Sequence, residues 1–526
     1  MHARRRTVGA ALAALAVVAG LTGPGTQAAP STDPAADPLR ARLTAILGDS
    51  RLDGASAALT VRDLDSDETL FRSFGSTRLL PASNTKLLTS AAALDVLGPD
   101  HRFVTDVLAT GARRGGTLRG DLYLRGTGDP TIMAADYDRL AADVARSGVR
   151  SVTGRLVADD SWFDATPLAP FWSWDDEPYH YSAQTSALTV APNTDGDAGT
   201  VLVDVHPGRR PGAAPRVTMT PANHYLHIRN RATTGTAGSD TTVSLVREHG
   251  RNVVDVTGSI PAGGETYEDQ PTVDRPTGLA AQLFARALAH HGVRIRAGAR
   301  HAVTPSAARP VASHRSITLA ALLTPFLKLS NNMMAEALVK TMGRTVSGEG
   351  SWSAGTAAVL AELKRLGLDT STLQLFDGSG LGRADYATTD QLAVLLDAAR
   401  DKPWFATWYA ALPVAGDPDR LVGGTLRNRM VGTAAAGNVH AKTGSMTGVS
   451  ALSGYVTDAA GHHLGFAMIT NNAVAGGVSS LEDAVAVTLA EHGAAARSTP
   501  RVRVAPASHA PTGPRAQLEC TWTRSC

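Results

Sequence analysis

Cysteine is almost absent from this 526-residue chain: the two present, Cys520 and Cys526, both fall in the last seven positions. The part able to fold therefore holds no thiol to oxidise and no Cys-based metal site. The pair itself could close a small disulfide loop in an oxidising exterior or remain two thiols. Lysine is also scarce. Lys86, Lys328, Lys340, Lys364, Lys402 and Lys442 are the six lysines, and every other basic residue counted is an arginine. At each lysine the question is whether arginine could replace it. Aromatic residues make up 5%. No apolar run reaches the roughly 20 residues that a membrane-spanning helix needs. The 16 histidines include no His-Glu-x-x-His or similar spacing, and the pairs His290-His291 and His462-His463 read as solvated helix-end and turn residues, so no metal and no cofactor is expected. Charge of one sign is lacking too: the formal net charge is +2, and loss of the first few arginines brings it close to balance. Nucleic acid is not an expected partner.

What is present begins with Arg4, Arg5 and Arg6, an apolar stretch from Val8 to Leu21, and small residues around Ala28 and Ala29. These are the three parts of a secretory signal, residues 1–29. No cysteine stands near the cleavage site to carry a lipid, so the mature protein is expected to be exported, to the exterior, cell wall or periplasm, without an integral span. Residues 498–526, rich in Pro, Ala, Ser and Thr, read as a flexible tail.

Between these ends, Leu39, Leu43, Ile46 and Leu47 recur at helical spacing, and Ala57–Leu64 with Thr69–Phe74 read as a hairpin. A helix follows over Leu87–Leu97 and stops at Gly98-Pro99. From about 104 to 300 the texture becomes short alternating runs with glycine-rich turns. Helical spacing returns at Thr277–His291, Leu319–Leu329, Ala335–Met342 and Thr388–Ala399. A second hairpin, Gly448–Thr457 with His463–Asn471, closes the core. Helices and terminal hairpins around a β-rich middle predict one α/β domain built from both chain ends, 30–103 and 301–497, with an insertion at 104–300.

Three short motifs carry chemistry. In Ser83-x-x-Lys86 the two side chains share a helix face, so the lysine nitrogen reaches the hydroxyl. Serine needs a base to become a nucleophile, and lysine can be one where arginine effectively cannot. Ser330-Asn331-Asn332 lies where one helix ends and another begins, a position at which polar residues often only cap. Lys442-Thr443-Gly444-Ser445-Met446 precedes an alternating segment and could, alone, be an ordinary edge strand. Each is weak alone. In this order they match the signature of penicillin-binding proteins and class A β-lactamases.

The chain further resembles the type 4 penicillin-binding proteins, D-alanyl-D-alanine carboxypeptidases and endopeptidases that trim peptidoglycan. Leu80–Lys86, Gly120-Asp121-Leu122, Gly128-Asp129-Pro130, Asp159-Asp160-Ser161, Ser186-Ala187-Leu188, Ala335-Glu336, Asp377–Leu381 and Gly424-Thr425-Leu426 look like that family's recurrent stretches. The interval from Ser83 to Ser330 is more than twice that from Ser330 to Lys442. Type 4 proteins lengthen the first interval with inserted domains, whereas class A β-lactamases keep it short. The resemblance implies a penicillin-binding-protein/β-lactamase-like transpeptidase fold: helices around an antiparallel sheet, with β-rich domains between the first and second motifs. It implies Ser83 as nucleophile, Lys86 as base, Ser330 as proton relay, and Asn332 bonding Lys86 and the substrate amide. The backbone N–H groups of Ser83 and Ser445 would form the oxyanion hole. Lys442, Thr443 and Ser445 would hold the terminal carboxylate, beside Gly444. The implied partners are a peptidoglycan stem peptide and β-lactams as covalent inhibitors. A β-lactamase, an esterase, or a catalytically silent sensor on the same fold are the alternatives.

Finally, Trp172-Ser173-Trp174-Asp175-Asp176-Glu177, ahead of Tyr179 and Tyr181, is dense in rings and acids. It reads either as a surface loop anchored by a buried indole or, as in some relatives, as a segment reaching the cleft. Asp175 or Asp176 would then bind an amine on the substrate side chain, with Met446 against its methylenes.

Overall fold

The computed structural model describes residues 38–493. The signal segment 1–29 and the tail with Cys520 and Cys526 lie outside these residues. Among the described residues no helix is long and apolar enough to cross a membrane.

Strands Ser56–Asp63 and Thr69–Ser73 from the start of the chain join His440–Met446, Val449–Thr457 and His463–Asn471 from its end in one five-stranded antiparallel sheet. Ser56–Asp63 pairs along its whole length with His463–Asn471, Ser56 opposite Asn471 and Asp63 opposite Leu464. Alternate side chains of these strands feed two cores, because successive residues of a strand point to opposite faces. Ala58, Ala451, Ala467 and Ile469 pack with the helices Thr85–Leu97, Asn332–Ser347, Trp352–Arg365 and Thr389–Ala399. Leu59, Val61, Leu452, Phe466 and Met468 pack on the other face with Pro38–Leu47 and Ser479–Ala490. A sheet covered on both faces accounts for the central strand His463–Asn471, buried at every position after its first.

The helix Thr85–Leu97 is buried from Thr85 through Leu94 and apolar nearly all round, as a helix enclosed by others must be. Its left-handed Gly98, φ 80°, ends it where the Gly-Pro signal predicts.

The inserted region has its own core. One five-stranded sheet runs Ala299–His301, Leu156–Asp159, Leu122–Gly126, Val104–Ala109, Arg309–Arg315, and smaller sheets fill residues 202 to 269. The strand Arg309–Arg315 pairs with Val104–Ala109, so the pairing of this region runs on past residue 300 before the chain returns through Leu319–Lys328. Two helices, Ala134–Arg146 and Pro276–His290, pack on it. The first was not expected from the alternating texture; Tyr137, Leu140, Ala141 and Val144 form its buried stripe.

Of the paired histidines, His290, His462 and His463 are exposed at a helix end and a turn, as read from the sequence, and each also stands beside an aspartate. His291 Nε2 lies 3.0 Å from Asp138 Oδ1, with His290 beside it, and His462 and His463 sit 3.1 Å from Asp458 and Asp65.

Candidate active site

Ser83 sits in a single 3-10 turn, Ala82–Asn84, that opens the buried helix Thr85–Leu97. Lys86, wholly buried, brings Nζ to 2.6 Å from Ser83 Oγ and donates to the Ser379 carbonyl at 3.1 Å. The i to i+3 geometry read from the sequence is thus realised at hydrogen-bond distance. Lys442, also fully buried, donates to Ser330 Oγ at 2.7 Å and to the Thr443 carbonyl at 2.8 Å. Two lysine–serine pairs therefore face the same site from different elements. Lys328 and Lys340 are buried as well, so four of the six lysines are enclosed inside the protein.

Lys442, Thr443, Gly444, Ser445 and Met446 lie on His440–Met446, the edge strand of the central sheet. Thr443 Oγ1 is 2.8 Å from Thr425 Oγ1, and a Cβ on Gly444 would fall 2.8 Å from the Pro81 carbonyl oxygen. Only glycine lets this strand run so close to the nucleophile turn. Asn332 donates to the Tyr181 carbonyl at 2.8 Å, in the inserted region.

These elements line an open cleft walled by Ser83, Ser330, Asn332, Ser445 and Met446. Asp176 is on its wall, half-buried, and accepts from Tyr181 Oη at 2.7 Å; burial raises its carboxyl above the usual range. Asp175, its neighbour, is exposed and does not line the cleft. Trp172 Nε1 donates to Asp377 Oδ2 at 2.7 Å, the anchoring indole of that segment.

Sequence reasoning did not assign the acids that hold the loop beneath Lys86. Glu336 is completely buried: it accepts from Trp352 Nε1 at 2.7 Å, Gly378 N at 3.0 Å and Ser379 N at 2.9 Å. Asp377 accepts from Gly380 N and Gly382 N, each at 2.7 Å. These bonds fix the Ser379 carbonyl that Lys86 meets. The signal was in plain view, since both acids belong to stretches already singled out, but nothing in the sequence says that their partners are backbone amides. Tyr181, named with the aromatic segment, is also on the cleft wall, whereas Arg383, Arg420 and Asp195 there were missed altogether.

Residues 39–492 match the model of the D-Ala-D-Ala carboxypeptidase 3 (S13) family. The chain is 46% identical over 493 residues, 93% of its own length and 90% of the relative's, to a D-alanyl-D-alanine carboxypeptidase of Actinomadura sp. (strain R39). It is 25% identical to the D-alanyl-D-alanine carboxypeptidase DacB of Haemophilus influenzae, covering 81% of this chain and 88% of that one. In fold it is similar to the crystal structure of penicillin binding protein 4 from the same organism, with a TM-score of 0.74 at 23% identity, 85% of this chain and 98% of that one covered. Two lysine–serine pairs on a helix and a sheet edge, the inserted domains, and a match over nearly all of the described residues lead to one statement: the chain belongs to the D-Ala-D-Ala carboxypeptidase 3 (S13) family of penicillin-binding serine peptidases.

Proposed function

We propose that Ser83 attacks the carbonyl of the penultimate D-alanine in peptides ending D-Ala-D-Ala, releasing the terminal residue and leaving an acyl ester that water hydrolyses. The observation that carries this is the 2.6 Å contact between the Ser83 hydroxyl and a buried lysine nitrogen at the bottom of a cleft. Lys86 takes the Ser83 proton as the C–O bond forms. The carbonyl oxygen becomes an oxyanion, met by the N–H groups of Ser83 and Ser445, each worth about 2.7 to 4 kcal/mol in the transition state. When the C–N bond breaks, the proton that Lys86 took from Ser83 passes through Ser330, whose hydroxyl also accepts from Lys442, to the leaving amine, and Lys86 is neutral again for deacylation. Lys442 also contributes positive charge toward the substrate's terminal carboxylate, with the hydroxyls of Thr443 and Ser445. Asn332 bonds the substrate amide.

A β-lactam places a carboxylate and a strained amide in similar positions, so it acylates Ser83 and leaves slowly. The natural substrate is a peptidoglycan stem peptide, met outside the cytoplasm after removal of the signal segment. Of the two aspartates in the aromatic segment, Asp176 is the one assigned to a side-chain amine, because its partly desolvated carboxylate discriminates against a neutral group. Met446 flanks it. Intact-mass measurement after benzylpenicillin tests the centre of this reading: one adduct on wild type and none on Ser83→Ala is expected, and an adduct on Ser83→Ala sinks it. For Asp176, kcat/KM on peptides with a free and an acetylated side-chain amine is expected to differ strongly on wild type and little on Asp176→Asn; equal values on wild type remove the acid from the site.

A further inference from the structure

The three residues of the second motif reach three different parts of the molecule. Ser330 accepts from Lys442 on the sheet edge, and Asn332 donates to Tyr181. Asn331, between them, spends its side chain on two tasks at once.

Helix Leu319–Lys328 ends at Leu329, and Ser330 follows with φ 57°. The Asn331 N–H then returns to the Phe326 carbonyl at 3.0 Å. This is a helix closure whose left-handed position is usually filled by glycine, because a side chain there strains the backbone. Serine stands there instead, holding its hydroxyl toward Lys442. Something must fix a strained residue in a single conformation. From the far side, Asn331 Oδ1 accepts from Met334 N at 2.9 Å and so starts the helix Asn332–Ser347. Aspartate would cap equally well. What distinguishes asparagine is the amide nitrogen, which donates to the Asp195 carbonyl at 3.0 Å and to Asp197 Oδ1 at 2.9 Å.

Both acceptors belong to the inserted loop 193–197, which is pressed onto this corner. Gly196 has φ 75°, and a Cβ there would fall 2.2 Å from Met334 Cε. The Asp195 carboxylate pairs with both terminal nitrogens of Arg420, Nη1 at 2.9 Å. A few residues beyond Arg420, the Thr425 hydroxyl meets Thr443 on the Lys442 strand. The loop thus bridges the second motif to the segment that leads to the third, from outside the peptidase domain.

We infer that the inserted loop 193–197 is a positioning element for Ser330, acting through the amide nitrogen of Asn331. It touches no substrate in this role. It holds the strained serine with its hydroxyl on Lys442, where it can pass the proton from Lys86 to the leaving amine. The inference rests on the acylation chemistry proposed above.

Asn331→Asp tests it. The variant keeps size and the helix cap but turns a donor toward two acceptors into a third acceptor. Acylation by benzylpenicillin is expected to slow by about thirty-fold or more, and kcat on a D-Ala-D-Ala peptide to fall with KM nearly unchanged. Adding Asp197→Asn restores a donor opposite an acceptor, and the double variant is expected to recover to within about five-fold of wild type, a coupling that two independent sites would not show. An Asn331→Asp enzyme that acylates at the wild-type rate overturns the inference. So does a double variant no faster than the single one, or a fall in Tm without a fall in acylation. Should Asn331→Asp not fold, Asn331→Ser, which keeps a cap but cannot span to Asp197, is expected to lose acylation as well, and a wild-type rate there overturns the inference too. Labelling of the wild type reports on the proposed function itself, whereas this inference is read from the ratio of variant to wild type.

Discussion

At the scale of single residues, the choice between lysine and arginine is decided by burial. Lys86 and Lys442 are wholly enclosed, and Lys86 must give up and regain a proton 2.6 Å from Ser83. A guanidinium keeps its charge and is too broad for a site built round one nitrogen. Lys86→Arg is therefore expected to lose acylation by about three orders of magnitude while remaining folded, with benzylpenicillin mass labelling and a melting curve as the two measurements. Near-normal labelling would reduce Lys86 to a source of charge. The histidines set an acid limit. Burial holds His440 down to about 4, with its ring stacked on Tyr409 at 4.2 Å. The unfolded chain binds this proton from about pH 6.5 downward while the folded protein refuses it, so stability falls as pH drops from 6.5 toward 4. The loss is at most about 1.4 kcal/mol per pH unit for this group. Denaturant titrations at pH 7, 6 and 5 should show that slope reduced in His440→Gln; an unchanged slope would assign the acid sensitivity to other groups, His180 first among them.

The next scale is that of loops, helices and strands. Gly380, φ 80°, lies so close to the nucleophile turn that a Cβ would stand 1.9 Å from the Ala82 carbonyl oxygen. Gly380→Ala must push the loop held by Glu336 and Asp377 away from Ser83. Acylation is expected to fall by about a hundred-fold, the scale of a 1 Å misplacement near the chemistry. A variant labelled at the wild-type rate would show that the loop adapts. Legibility differs between elements for a physical reason. The hairpins and the helix Thr85–Leu97 could be read because their periods and turn residues agree. The helix Trp352–Arg365 could not: Gly355 and small residues replace the apolar stripe, since this helix packs so tightly that a Cβ at Gly355 would stand 2.2 Å from the Val339 carbonyl oxygen. The helix Ala134–Arg146 was hidden among short strands. The three motifs were legible as local spacings, whereas Glu336, Arg420 and the 193–197 loop act through contacts between residues far apart in sequence. The choice of Asp176 over Asp175 also needed the fold, because adjacent residues in a turn differ only in which way they face.

For the molecule as a whole, the inserted region is fastened to the peptidase domain at more than one place. Lys340, wholly buried, donates to Asp164 Oδ1 at 2.6 Å and to the Thr166 carbonyl at 2.7 Å, with its charge over the Trp352 ring at 3.6 Å. Asp164 is more than a third exposed, so it can return to water when Lys340 is removed; what is lost is the donor to the buried Thr166 carbonyl and the contact with the Trp352 ring, which together destabilise by about 1 to 3 kcal/mol. Lys340→Met is therefore expected to lower Tm by several degrees more than the surface variant Lys364→Met, as measured by calorimetry. Similar shifts for the two would mean that the inserted region is held elsewhere.

The pairing of Ser56–Asp63 with His463–Asn471 also has a consequence in time. A ribosome delivers Ser83 and Lys86 early and Lys442 about 360 residues later, roughly 20 to 70 seconds at ordinary rates of synthesis. Until the last three strands arrive, the first hairpin has no sheet to join and the serine has no edge strand opposite it. The half-made chain carries a nucleophile that cannot yet cut, and pairing of the C-terminal strands with the first hairpin is what completes the site.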